Sequence, residues 1–213
     1  MRDFPIFTTE YGVSSLVLKE IPYKNEAYIR MVDVEEEHFE EHLKECVSFC
    51  RMCGAETIDA TGDPMLEKYP LTTAVYAMQC PREVLAPTDA CLFPVTEQTL
   101  SRWLQIYNER MAAVPNAAYM DSRAGRELLK TGDGYFVHKD GELLGIGIAR
   151  EDKIEAIASV KPGAGETVLI TLCSALFSEN IVLEVASNNE RAIRLYERMG
   201  FLKTELLRTW YDV

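Results

Sequence analysis

Two metal-ligand patterns overlap in the stretch HFEEHLKECVSFCRMCG, residues 38–54. His38, Glu41 and His42 spell H-x-x-E-H, in which two histidines hold zinc while the glutamate works on a bound water. Cys46, Cys50 and Cys53 spell C-x3-C-x2-C, a spacing that can hold an iron–sulfur cluster. Either chemistry needs its ligands to converge, so the element carrying them decides. At about 100° per residue, Phe39, Leu43, Cys46, Cys50 and Cys53 form one apolar stripe of an amphipathic helix. Glu40, Glu41, Lys44, Ser48 and Arg51 fall on the other side. Glu35, Glu36 and Glu37 stand at the N-terminal end, where the helix dipole favours negative charge, and Gly54 stands where a C-terminal cap belongs. On a straight helix Cys46 and Cys53 lie about 10 Å apart along the axis, too far to gather around one cluster. Zinc lacks a third protein ligand. The expectation is a helix whose cysteines face a core as small hydrophobes, with no metal.

A second chemical signal is the glycine-rich turn Lys161-Pro162-Gly163-Ala164-Gly165, which follows an expected strand and precedes an expected helix. Free N–H groups at a helix N-terminus bind phosphate oxygens, and glycine lets the backbone approach them. A third is IVLEVASNNERAIRLYERMGF, residues 181–201. A strand ends in a polar turn, and a helix begins at Asn188 or Asn189. Ala192, Leu195, Tyr196 and Met199 recur at helical spacing, Gly200 caps the helix and Phe201 re-enters the core. Taken alone, this is a packed helix with Asn189 as its N-cap and Tyr196 as a core aromatic.

The positioning elements read as follows. Strands are expected at residues 14–21 and 27–34 with a turn at Pro22–Asn25, then the helix at 38–54, a strand at 56–61, a short helix near 65–68 and a strand at 72–79. Residues 80–94, with Pro81, Pro87 and Pro94, read as a linker. Thr96 and Thr99 offer N-caps for a helix through Trp103, Leu104 and Tyr107, and a second helical piece lies between Asn116 and Lys130. Strands follow at 135–139, 142–149 and 153–160, with Lys139-Asp140-Gly141 a tight hairpin signal. A helix over 166–177, a strand over 181–186, a helix over 189–199 and a strand over 201–211 complete the chain. Each half thus contains β-α-β-α-β, a weak internal repeat.

The chain of 213 residues is 47% hydrophobic, ordinary for a globular protein, and has no apolar run long enough to span a membrane. The start MRDFPIFTTEYG lacks a secretion signal's apolar core, so a cytoplasmic location with six reduced cysteines is expected. A net charge of -12 argues against nucleic acid as a partner, because that binding rests on neutralising phosphates with Lys and Arg. The acidity suits a cationic substrate such as an amine, but solubility alone explains it more simply.

Asn189-x-x-Ala192-x-x-Leu195-Tyr196-Glu197-x-x-Gly200-Phe201 resembles the C-terminal motif of the GNAT superfamily of N-acetyltransferases. The hairpin GYFVHKDGELLGIGIA resembles that family's second and third strands. The resemblance covers about residues 93–213. It implies an α/β (α+β) fold, a mixed, mostly antiparallel sheet flanked by helices, with a GNAT domain over 91–213. Residues 1–90 would then form a smaller, partial and divergent β-β-α-β-α-β half that does not bind coenzyme. It implies acetyl transfer from acetyl-CoA to a small-molecule or peptide amine, with no metal, no nucleic acid and no membrane; a homodimer is left open.

By the same resemblance, coenzyme A lies where the sheet splays between strands 153–160 and 181–186. Backbone groups near Ala158, Ser159 and Val160 would pair with the pantetheine arm. The turn of Gly163, Ala164, Gly165, Glu166 and Thr167 would face the pyrophosphate, and Asn189 would contact the coenzyme. Tyr196 matches the tyrosine that protonates the leaving thiolate. No general base is assigned, and Glu155 and Glu184 read as solvent-face carboxylates. The turn departs from the family's Arg/Gln-x-x-Gly-x-Gly/Ala: after Val160-Lys161-Pro162 the residues are Gly163-Ala164-Gly165-Glu166. Glu166 adds negative charge there, with Lys161 as the available offset. This departure keeps a second reading open, a GNAT-fold binding or regulatory module without transfer activity.

Overall fold

The computed structural model describes residues 5–114 and 117–213. Its elements group into two compact units, Met1–Val75 with Leu206–Val213, and Tyr76–Glu205. The stretch read as a linker holds a 3-10 turn at Arg82–Val84 and a strand, β6 (Cys91–Pro94). Of its prolines, Pro94 lies on β6, the outermost strand of its sheet, where a missing N–H donor leaves no ladder bond broken, while Pro81 is the last residue of the preceding strand.

The first unit opens with a hairpin of β1 (Ile6–Thr9) and β2 (Gly12–Val17), of which β1 lies outside the elements expected above. A one-turn helix, α1 (Ile21–Lys24), fills the expected turn and ends at Asn25 in the left-handed region, φ 58°. Then come β3 (Glu26–Val34), a 3-10 turn at Glu36–His38, α2 (Phe39–Met52), β4 (Thr57–Thr61), a 3-10 turn at Pro64–Lys68 and β5 (Leu71–Pro81). β3 and β4 pair in parallel, with α2 as their crossover. Phe39, Leu43, Cys46 and Cys50 are buried in one cluster with Ala27, Ile29 and Met31, which alternate along β3. The stripe therefore packs as the spacing predicts, except at Cys53. That cysteine is exposed, because α2 stops at Met52 and the helical phase ends with it. Burial pushes the Cys46 thiol up to about 11 and the Cys50 thiol to about 12, so both are protonated at neutral pH.

The two histidines of H-x-x-E-H do not share a site. His38 stacks on Tyr11, ring centroids 4.5 Å apart. His42 is 0% exposed and hydrogen-bonded at both ring nitrogens, Nδ1 with Thr9 Oγ1 and Nε2 with Ser14 Oγ, each at 2.7 Å. Ser14 Oγ donates to Met31 Sδ at 3.2 Å, so it accepts from Nε2–H, and Nδ1 accepts from the Thr9 hydroxyl. This pattern assigns the neutral Nε2–H form. Burial holds the His42 pKa below its ordinary 6.5, against an opposing pull from Glu45. A depressed folded-state pKa contributes stability that is present above pH 6.5 and lost as pH falls through the folded value. His42→Gln is therefore expected to flatten the loss of thermal stability between neutral and mildly acid pH. Parallel pH profiles for the two proteins would remove His42 from that role.

The second unit adds α3 (Leu100–Met111), α4 (Ser122–Thr131), β7 (Gly134–Lys139), β8 (Glu142–Arg150) and β9 (Lys153–Ser159). It continues with α5 (Gly165–Cys173), β10 (Asn180–Ala186), α6 (Glu190–Arg198) and the start of β11 (Leu202–Asp212), whose residues from Leu206 on belong to the first unit. The helix expected from Asn116 starts instead at Ser122, after its N-cap Asp121; Asn116 itself lies outside the described residues. α5 ends before Phe177, because Ser174 turns back on Thr171 through both its amide and its hydroxyl, leaving Phe177 97% exposed. The β7–β8 turn places both Asp140 (φ 51°) and Gly141 (φ 78°) at positive φ, as a two-residue hairpin requires.

Strand order in this unit is β11-β5-β10-β9-β8-β7-β6. β6 through β9 pair antiparallel, while β9 and β10 are parallel. Trp103, Ile106 and Tyr107 of α3 cluster with Phe136, Ile146 and Ile148, and α5 and α6 cluster with Leu183 and Val185 of β10. β8 is buried almost continuously, as a strand covered on both faces must be. Its Gly145 and Gly147 let α5 lie close. A Cβ at Gly145 would sit 2.8 Å from Val168 Cγ2, and one at Gly147 would collide with Leu172.

Candidate functional site

β9 and β10 pair only through Val182↔Lys153 and Leu183↔Ile154. Beyond that point the two strands separate. The β8–β9 ladder shifts register between Ile148 and Ala149, leaving Glu155 unmatched, and such a bulge bends a strand. The bend lies where the divergence begins. Val160 donates its amide to Leu144 O at 2.9 Å, so by the two-residue period the amides of Val160 and Ala158 point at β8. Ile157 and Ser159 direct theirs at the opened edge. Of the expected Ala158–Ser159–Val160 trio, only Ser159 therefore offers its backbone to the gap, and Ile157 joins it.

An open groove of about 520 Å³ continues from this edge. Ile157, Ala158, Ser159, Gly163, Gly165 and Glu166 line one part, and Asn189, Ala192, Leu195 and Tyr196 of the α6 segment line another. Ala164 and Thr167 of the expected turn are not in its lining; Ala164 is buried in the core instead. Gly163 turns at φ +82°, with open space where a Cβ would stand. The first-turn amides of α5 have no intrahelical acceptor. Its N-cap, Ala164, has no side-chain acceptor either, whereas Asp121 and Asn189 cap α4 and α6 with their own oxygens. α5 thus presents backbone donors to the groove.

Its charge comes from residues the sequence reading omitted: Arg110 of α3, and Arg191, Arg194 and Arg198 of α6. The 191-194-198 spacing of 3 and 4 already places these three on one helical face, the signal that could have found them. Arg194 pairs with Glu190 at 3.2 Å, an exposed pair of small worth. Lys161, the expected offset to Glu166, bonds Glu142 instead. Four guanidinium groups against one carboxylate give the groove lining a positive balance of charge.

Tyr196 is 6% exposed and borders the groove while its ring packs near Phe201, centroids 6.0 Å apart. Its hydroxyl makes no hydrogen bond among the described residues. Burial pushes its pKa up to about 12, so the phenol keeps its proton at neutral pH. Asn189 accepts from Ala192 N at 3.3 Å as the N-cap and also lines the groove. Glu184 is held by Lys153 at 2.5 Å and Glu155 by Arg150 at 3.1 Å, which leaves both on ion-paired strand faces.

A parallel strand pair held at one end and opened at the other, beside an uncapped helix start, is the decisive geometry. No protein-family sequence model and no curated protein matches the chain. Solved structures match over nearly all of it. A conserved protein of unknown function from Staphylococcus epidermidis aligns over 100% of this chain and 94% of its own, at 12% identity and TM-score 0.62. A GCN5-related N-acetyltransferase from Sphaerobacter thermophilus aligns over 94% and 75%, at 11% identity and TM-score 0.54. The chain has the GNAT fold. A tandem GNAT protein from the clavulanic acid biosynthesis pathway also matches, over 95% and 78%, at 11% identity and TM-score 0.50.

Among the described residues, the opened strand pair has no counterpart at the similar crossover of the first unit. There β3 and β4 pair along all of β4, from Glu26↔Thr57 to Arg30↔Thr61. The entry to α2 carries Glu36 and Glu37 in a 3-10 turn rather than glycines. Among the described residues no three His, Cys, Asp or Glu side chains gather as a metal site. No helix is long and apolar enough to cross a membrane.

Proposed function

We propose that the second unit is an acyl-CoA-dependent N-acetyltransferase, moving an acetyl group from acetyl-CoA to an amine. The observation that carries the reading is the opened β9–β10 edge leading to an arginine-lined groove that Tyr196 borders. A pantetheine arm adds to the free edge of β9 as a short strand would, through Ile157 and Ser159. The pyrophosphate takes the free amides at Gly165 and Glu166, with the arginines outweighing the Glu166 carboxylate. The amine nitrogen attacks the thioester carbonyl, the C–N bond forms, and the C–S bond breaks. The thiolate takes the Tyr196 proton, the amine's proton leaves to solvent, and Tyr196 regains a proton from solvent. The site residues are then Tyr196 as acid and Ser159, Ile157, Gly163, Gly165, Glu166 and Asn189 as coenzyme contacts. The first unit, with its closed β3–β4 pair, binds no coenzyme in this reading.

The test is thermal unfolding with acetyl-CoA. A ligand at about a hundred times its Kd adds ~2.7 kcal/mol to the folded state, a rise of several degrees in Tm. An unmoved Tm at saturating concentration rejects the proposal. A shifted Tm with no thiol released before a broad amine panel selects the binding module instead.

A further inference from the structure

The turn ahead of α5 directs its one cation, Lys161, to Glu142 rather than into the groove. Lys161 is occupied by Glu142 and is absent from the groove lining, and Glu166 is of the wrong sign. Arg110 of α3 comes from elsewhere in the chain to the residue just before this turn. Arg110 stands one helical step beyond the buried residues Trp103, Ile106 and Tyr107 of α3, on the same stripe. A charged residue on a buried stripe needs the sheet to end beneath it, and here it does: Arg110 Nη2 donates to Val160 O at 3.2 Å, one residue past the end of β9. The guanidinium is exposed and lines the groove with Gly163, Gly165 and Glu166. Guanidinium carries five N–H groups, and among the described residues one of them is spent, on Val160, which leaves donors for a ligand. The last turn of a helix also favours a cation, which holds Arg110 in this place without a ligand.

We infer that Arg110 binds the coenzyme's diphosphate, supplying from α3 the positive charge that the α5 turn lacks, while its bond to the Val160 carbonyl fixes the guanidinium beside that turn. The inference rests on the coenzyme reading above. It makes Arg110 a specificity residue for nucleotide-bearing thioesters.

Titration of CoA into the full chain by calorimetry, at several salt concentrations, tests it. Arg110→Ala removes both charge and strut. Arg110→Gln removes the charge but keeps an N–H donor for Val160. Both variants are expected to bind CoA about ten- to a hundredfold more weakly, the loss of a charge-assisted hydrogen bond. Both should also show a shallower dependence of Kd on salt. If Arg110→Gln binds like the native chain and only Arg110→Ala weakens, Arg110 is a strut and the inference falls. An undiminished affinity in both, or a loss with the salt slope unchanged, overturns it equally. In those cases the native chain still binds CoA and the coenzyme reading stands. A native chain that does not bind CoA rejects that reading and this inference with it.

Discussion

Replacing Tyr196 by phenylalanine is expected to lower turnover of acetyl-CoA by about a hundredfold or more, the usual reach of a positioned general acid. Affinity for CoA should stay within about twofold, because the hydroxyl would act on the leaving sulfur rather than on the bound ground state. The variant separates chemistry from folding unusually well. The Tyr196 hydroxyl has no hydrogen-bond partner among the described residues, so its removal leaves no buried group unpaired. The ring, which carries the packing against Phe201, is kept. Because burial pushes the pKa up to about 12, the acid is protonated at every ordinary pH, and a loss of rate from its ionisation belongs only to strongly alkaline conditions. Release of free thiol from acetyl-CoA with a reactive amine measures the effect. A variant with native turnover would leave Tyr196 a core aromatic, the role its 6% exposure already permits.

Residues that act through local spacing were the ones legible in the sequence. The α6 segment gave its N-cap, its buried ring and its Gly200 stop directly, since each depends on neighbours within a helical turn. The α2 stripe likewise read out from steps of 4, 3 and 4, and failed only at Cys53, where the helix had ended. What stayed hidden depends on pairing between distant segments. Which of Ala158, Ser159 and Val160 faces the gap turns on the amide bond from Val160 to Leu144, a matter of register that alternation alone leaves undetermined by one residue. Arg110 is further removed still: only the packing of α3 on the sheet carries it to the end of β9. Its sequence neighbourhood, NERMAAV, looks like any exposed helix end. The departure of the Gly163–Glu166 turn from the family pattern therefore reads as a missing cation in one dimension. In three dimensions four arginines surround the same groove.

The largest effect on stability is expected at Gly147, and it should reach the groove. In GELLGIGIA the glycines at 145 and 147 look like weak strand residues, since glycine loses the most entropy on ordering and packs nothing. Their use is the close approach of α5. A Cβ at 147 would overlap Leu172 and stand 2.7 Å from the Ala156 carbonyl oxygen. Leu172 is fully buried, and the Ala156 oxygen is backbone, so neither yields without moving α5 or β9. Gly147→Ala is therefore an overpacking substitution costing about 1–3 kcal/mol, read as a Tm lower by several degrees. Its second consequence follows from what α5 and β9 carry. The helix start at Gly165 and the edge at Ile157 and Ser159 both border the groove, so the shift that relieves the clash displaces the amides assigned to coenzyme in the proposed reading. Affinity for CoA should fall with stability even at temperatures where the variant is fully folded. Calorimetric unfolding and CoA titration on the same preparation test the two halves together. A destabilised variant with native CoA affinity would mean that the clash is absorbed inside the core, and that the close packing of α5 on β8 does not position the groove.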